Sequence, residues 1–352
     1  MKDKILAAWK ASQQPITAVI IALLVGAVFI MITGNSPIEA YKAVFQAAFQ
    51  GTDNIAATLQ FTTPLIFSGI ATAVSFRAGI FNIGVEGQLY IGSFAAALVG
   101  AYLHGIPTVL HIGLALAAAG VSGGVYAIIP AYMKAKWEIN EIVTTIMMNY
   151  IALLLTSYLV NYPFKELGSI AAQTYEVDPS AMLFKLIEHS RLNFGLILAL
   201  ASLVVIYWIL WYTPWGLELR TVGLNRKFAE YKGIPAARRL IEAMVLSGFL
   251  AGIGGGVEIL GVYHRFIEDW AGTIGVEGIS VALLGNNHPL GVFLSAMFFG
   301  ALKNGGLAME RVTLVSRHLV SVLQAIVIFV VASKYLRLAW KRRKAATSEV
   351  KP

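Results

Sequence analysis

Long, unbroken apolar stretches dominate this chain, at 16–33, 54–75, 107–131, 142–161, 193–212, 240–262 and 314–333. Each approaches or exceeds the roughly 18–20 residues that a helix needs to cross about 30 Å of hydrocarbon. The ten-residue alternation of a membrane barrel is missing, so helices must satisfy the backbone inside the bilayer. A further apolar stretch covers 79–103, and 273–304 divides at its glycines into two short segments, 273–286 and 289–304. The pattern predicts an all-α polytopic membrane protein of about ten transmembrane helices, spans 1 (16–33), 2 (54–75), 3 (79–103), 4 (107–131), 5 (140–161), 6 (193–212), 7 (240–262), 8 (273–286), 9 (289–304) and 10 (314–333). It forms a single transmembrane domain over 1–352, with a first half at 16–162, a second half at 193–336 and a basic tail at 337–352. Span 1 follows Lys2, Lys4 and Lys10 as a signal peptide would, but its run is long and no small-residue cleavage pattern follows Gly34. It is read as a retained first span.

Composition agrees: 57% of residues are hydrophobic and 13% charged, against about 25% charged in soluble domains. The net charge of +8 does not imply nucleic acid, because the basic residues are sorted by side. With both termini in the cytoplasm, only Lys42, Lys165, Lys185, Arg191, Arg265, Lys303, Arg311 and Arg317 of the 27 Lys and Arg residues fall away from the cytoplasmic segments. The basic tail is placed against anionic membrane lipid. With no cysteine there is no disulfide framework to read.

The pentapeptide Ile-Gly-Val-Glu-Gly occurs twice, at 83–87 and 274–278. Span 2 carries Ser68-Gly69 and runs inward, span 7 carries Ser247-Gly248 and runs outward, and the pentapeptide follows each. Spans 2–5 and 7–10 therefore form an inverted repeat, an architecture whose interrupted helices gather along a transport path. A carboxylate at mid-bilayer costs about 2.5–3.5 kcal/mol on insertion scales, so Glu86 and Glu277 must face a cavity, a partner or a helix N-terminus. A half-helix starting near Gly84 puts Glu86 in its first turn, where the macrodipole favours an anion. Two readings stay open: an architectural cap in each half, or a substrate pathway shared with Asn82 and Gln88. In span 5, Glu141, Thr145 and Asn149 recur at four-residue spacing as one polar stripe. Asn149 is the pathway candidate, and Asn140-Glu141 reads as a helix start.

Three short helices are encoded outside the spans. Ser36-Pro37-Ile38-Glu39 is a capping box that predicts a helix at 37–50. Leu183, Leu186 and Ile187 predict another over 181–189. Each rests on the lipid interface or serves as a platform for an external partner. Between Asn225, an N-cap, and Gly233, a C-terminal glycine followed by Pro235, lie Arg226, Lys227, Phe228, Glu230 and Tyr231, which encode two turns of helix. So short a helix needs a surface to pack on. The alternatives are lipid phosphates for Arg226, Lys227 and Lys232, or a groove on a cytoplasmic protein for Phe228 and Tyr231.

Enzyme chemistry finds no purchase. No P-loop, H-E-x-x-H or G-x-S-x-G occurs, and the six histidines show no ligand spacing. ATP and its magnesium, if used, belong to another polypeptide.

Three blocks resemble a known family: Phe76-Arg77-Ala78-Gly79-Ile80-Phe81-Asn82-Ile83-Gly84-Val85-Glu86-Gly87-Gln88, Glu141 through Tyr150, and Arg220 through Ile234. They are similar to the larger permease subunit of bacterial nucleoside ABC importers, relatives of the ribose and simple-sugar permeases. The resemblance spans 15–340. It implies a plasma-membrane, multi-pass subunit working with a second homologous permease, a cytoplasmic ABC ATPase and an extracellular substrate-binding lipoprotein. It also implies a nucleoside substrate, with a pentose or other simple sugar as the alternative, and a coupling role for 225–233. The third reading, outside this family, is an ion-coupled secondary transporter with Glu86 and Glu277 as relays. The second half departs from the family's Phe-Asp, having Val276-Glu277 instead.

Overall fold

The computed structural model describes residues 2–313, 315–316 and 318–330, with side chains from residue 17 onward. Arg317, the ends of span 10 and the basic tail lie outside them. Every extended element among the described residues is a helix: α1 (Lys2–Ile32), α2 (Pro37–Phe49), α3 (Thr52–Arg77), α4 (Val85–Tyr102), α5 (Thr108–Trp137), α6 (Glu141–Asn161), α7 (Gly195–Tyr212), α8 (Pro214–Leu224), α9 (Arg226–Tyr231), α10 (Ala236–Glu258), α11 (Ile274–Leu284), α12 (Pro289–Thr313) and α13 (His318–Val330). A π-helical turn, Ile259–Tyr263, extends α10. Six of them (α3, α5, α6, α7, α10 with its extension, and α12) are long and apolar enough to cross a membrane.

The described residues form two compact units, one of 51–300 and a second drawn from the described parts of 1–50 and 301–330. In the second, Ile30, Ala40, Met309 and Val315 make a small core edged by Tyr41, Val44 and Leu319. The predicted α2 is present, with Ser36 accepting from the Glu39 amide and Pro37 at its first position.

In the larger unit the long helix α10 packs on α3, α4 and α5. This is possible because its inner face is nearly bare of side chains. At Gly252 a Cβ would sit 2.1 Å from the Ala119 carbonyl oxygen on α5, so backbones touch as small residues allow in bilayers. The two short helices cross over: α4 lies on α10, whereas α11 lies on α3.

Sequence expectations fail where tertiary bonds compete. The apolar stretch from 79 does not begin as a helix; 78–84 is irregular, with Gly79 at φ +81°, and α4 starts at Val85. At the other extreme α12 runs past 304 to Thr313. The predicted 181–189 helix is absent. A 3-10 turn at Pro179–Ala181 is followed by extended chain, because Leu183 donates to the Leu260 carbonyl (2.9 Å) and Leu186 to that of Leu192 (2.9 Å). Leu183 is buried while Leu186 and Ile187 are exposed, so the three never share a face.

That segment belongs to a cap formed by 162–194 with 264–268, pinned by Arg265 between Glu166 (3.0 Å) and Glu176 (2.8 Å). Asp178 anchors it. Its carboxylate is held down to about 2, first by the Ser180 amide (2.9 Å) and then by the Ser180 hydroxyl and His104. Since the folded value lies below the ordinary 3.8, this stabilisation is complete above the ordinary value and is lost as pH falls through the folded one. Pepsin should therefore cut 182–194 slowly at about pH 4 and rapidly near pH 2, whereas Asp178→Ala should be cut readily at both. Equal cleavage of the two proteins at the higher pH would remove Asp178 as the anchor.

Candidate functional site

Both copies of the repeated pentapeptide begin a short helix, and the two beginnings meet. A Cβ on Gly275, in the first turn of α11, would lie 2.3 Å from the Cα of Glu86 in the first turn of α4. One turn on, a Cβ on Gly278 would lie 2.6 Å from the Ser68 carbonyl carbon of α3. Only glycine permits either contact. The acidic residue of each copy thus sits at a helix N-terminus, where unpaired amides and the macrodipole favour negative charge.

Around α4 the break is held by amides. Asn82 accepts from the Gly84 amide (2.9 Å) and donates to Gln88 Oε1 (3.2 Å) and Ser247 Oγ (3.0 Å). Asn149 of α6 clamps both sides of the break, accepting from the Gly87 amide (2.8 Å) and donating to the Ile83 carbonyl (2.9 Å). Thr145, one turn earlier, is fully buried and returns its hydroxyl to the Glu141 carbonyl (2.6 Å). Asn140 caps α6 as expected, and Glu141 pairs with Lys134 (2.9 Å). On the other side Glu277, buried, accepts from Thr273 Oγ1 (2.8 Å).

All six residues nominated as substrate pathway (Asn82, Glu86, Gln88, Thr145, Asn149 and Glu277) therefore gather at one crossing. Their roles differ. Asn82 and Asn149 commit their amides to the protein, and Thr145 its hydroxyl, whereas Glu86 keeps part of its surface accessible.

The sequence reading missed several polar residues nearby. Tyr90, buried, donates to Asp269 Oδ1 (3.1 Å), and Ser157 donates to Glu268. With Phe266, Leu153 and Leu154 they line a cavity of about 270 Å³ between α4, α6 and the cap, near the lower end of the about 300–1,000 Å³ usual for small-molecule pockets. Trp270 packs at 6.1 Å from the Tyr90 ring and Tyr263 at 5.2 Å from Trp270. Glu258, 3% exposed within α10, is a second buried acid beside Glu277. A lone glutamate in a glycine-rich apolar run was its legible signal; Asp269 had none, since only folding brings 264–273 to α4. Hydroxyls, amides and carboxylates against aromatic rings can bind a polyhydroxylated ligand with a planar part. Among the described residues no His, Cys, Asp and Glu grouping could hold a metal.

The opposite end of the larger unit carries the short helix α9. Asn225 Oδ1 accepts from the Phe228 amide (3.0 Å), Gly233 takes φ +80°, and Arg226 pairs with Glu230 (3.0 Å) and with Glu138 after α5 (3.4 Å). Ala229 is buried, while Phe228 (50%) and Tyr231 (86%) are exposed beside Lys227 and Lys232. The helix is thus fixed on its inner face and presents two aromatic rings among charged side chains on its outer one.

This architecture is that of a polytopic helical membrane protein. The chain belongs to the family described as branched-chain amino acid transport system / permease component, matched over residues 54–332, and is an integral membrane protein. It is 37% identical over 324 residues to the guanosine ABC transporter permease protein NupP of Bacillus subtilis, covering 91% of this chain and 93% of that one. It is 34% identical over 331 residues to the nucleoside ABC transporter permease protein NupB of Lactococcus lactis (92% and 91% covered). With the glucose ABC transporter permease protein TsgB13 of Haloferax volcanii it shares 32% over 341 residues (94% and 90%).

Proposed function

We propose that this chain is the translocation subunit of an ABC importer that takes up nucleosides delivered by an external binding lipoprotein. The observation that carries the reading is end-to-end similarity to two nucleoside permeases, with more than nine-tenths of each chain covered. The subunit is non-catalytic. ATP and magnesium are bound by a partner ATPase docked on α9, and a second homologous permease completes the membrane portion. Both termini and the α8–α9 end face the bacterial cytoplasm, in keeping with Arg77, Lys134, Lys136, Arg220, Arg226, Lys227, Lys232, Arg238 and Arg239 at that end.

The ten-span inverted repeat belongs to the same proposal. At 11 residues, α11 reaches only about 16 Å, half a bilayer, and meets the start of α4 as its counterpart. The crosswise packing of α4 on α10 and α11 on α3 is what a two-fold axis in the membrane plane produces. Alternating access would then open and close the crossing at Glu86 and Glu277, with Asn82, Gln88, Thr145 and Asn149 holding its walls.

The glucose permease among the relatives favours one rival, a simple-sugar importer. Reconstituting the chain with its co-expressed partners and measuring substrate-stimulated ATP hydrolysis separates them. Guanosine and uridine should stimulate, and glucose and ribose should not; the reverse order would replace the nucleoside reading with the sugar one.

A further inference from the structure

Arg77 ends α3 at the α9-bearing end of the larger unit, and its guanidinium joins three elements. Nε donates to the Asn287 carbonyl (2.9 Å) and Nη2 to that of Asn286 (3.0 Å), in the turn that follows α11 and its Gly285 cap. Both asparagines adopt left-handed backbone, φ +53° and +54°, a region that asparagine enters more readily than other residues with a Cβ. The turn so formed aims two carbonyls at one side chain. A cation there also complements the negative C-terminal end of α11.

The same guanidinium lies over the Trp211 indole of α7, 5.2 Å from its centre. Arg220 of α8 occupies that indole too, at 5.5 Å, and His288 meets it edge-on at 4.7 Å. Burial, and then Arg77, hold the His288 imidazole below its ordinary value, so it meets the indole uncharged at neutral pH. The Arg77 backbone is engaged as well. A Cβ on Gly223 of α8 would lie 2.1 Å from the Arg77 carbonyl oxygen, two residues before the Asn225 cap of α9.

A displacement of α8 and α9 therefore pushes directly on Arg77, and Arg77 holds the far end of α11. The near end of α11 is the Gly275 contact with Glu86. Because α11 is a single short rod, moving its C-terminus moves the crossing.

We propose that Arg77 is the positioning residue that transmits movement of the α8–α9 segment to α11, stacked on Trp211 as its bearing. A lysine cannot replace it, since a single ammonium does not reproduce the planar fork and the stacked face together. The inference rests on the coupling role proposed for α9, and the two can fail separately.

The experiment uses the reconstituted importer with Arg77→Lys, Arg77→Gln and, as a variant that leaves both carbonyl bonds in place, Trp211→Leu. For each, assembly with the ATPase, basal ATP hydrolysis, substrate-stimulated hydrolysis and uptake are measured per assembled complex. Basal hydrolysis should stay within about twofold of wild type while uptake falls about tenfold or more, a tenfold loss matching about 1.4 kcal/mol. Trp211→Leu should show the same split to a smaller degree. Uptake equal to wild type in both Arg77 variants overturns the proposal, as does basal hydrolysis that falls in step with uptake, which would assign Arg77 to assembly. Deletion of 226–232 runs alongside: if uptake survives it, the α9 reading fails; if uptake is lost there but intact in the Arg77 variants, only this inference does.

Discussion

Removal of residues 226–232 should reduce uptake to background while the protein remains in the membrane at normal levels. The helix they form has six residues, far below the roughly 12–15 at which an isolated helix becomes marginal in water. It exists because Asn225 caps it, Ala229 is buried beneath it and Arg226 ties it to Glu138. None of these bonds supports a membrane span, so their loss leaves the bundle standing. What is lost is the outward face of Phe228 and Tyr231, aromatic anchors of the kind that dominate interfaces. Each truncated singly to alanine should weaken ATPase association by about 1–2 kcal/mol, roughly tenfold. Asn225→Pro should act like the deletion, because it removes the side-chain cap and also the amide that bonds the Thr221 carbonyl (3.0 Å). The checks are radiolabelled nucleoside uptake, surface expression and ATPase co-purification. Full uptake in a well-expressed deletion would end the coupling role.

The second large effect is expected at the helix crossing. Gly275→Val should abolish uptake, and Gly275→Ala should lower it about tenfold or more, since its new Cβ would fall on the Glu86 Cα. Backbone cannot rotate away as a side chain would, so α11 must shift; overpacking of this kind costs about 1–3 kcal/mol. Gly278→Ala strikes the Ser68 backbone in the same way. The matched control is Gly113→Ala on α5, where nothing lies within 4 Å of the added atom; it should transport normally. Since α9 is remote from the crossing, the Gly275 variants should still co-purify with ATPase. Wild-type uptake from Gly275→Val would mean that the two acidic turns need not touch.

Local chemistry explains which elements were legible. The helix at 37–49 and the one at 226–231 were readable because their caps lie within three residues of the amides they satisfy. No cap side chain marks the start of α4; Gly84 and the carboxylate of Glu86 in the first turn made that half-helix start readable. The segment 181–189 was misread because periodicity reports which residues are apolar, not where their amides go; they went to Leu260 and Leu192. Asn149 was nominated from its stripe on α6 as a pathway residue, and its partners, the Ile83 carbonyl and the Gly87 amide, lie more than sixty residues away. No pattern within α6 announces them.

By itself the sequence determined the membrane, the helices and the repetition of the acidic pentapeptide, because hydropathy, caps and glycine act within a turn or two of chain. That Gly275 of one pentapeptide packs on Glu86 of the other, that Tyr90 meets Asp269, and that Arg77 grips the end of α11 was decided only by tertiary structure. Each of those contacts closes more than 150 residues of intervening chain, and long-range closure is settled by how helix surfaces fit, which no local pattern encodes.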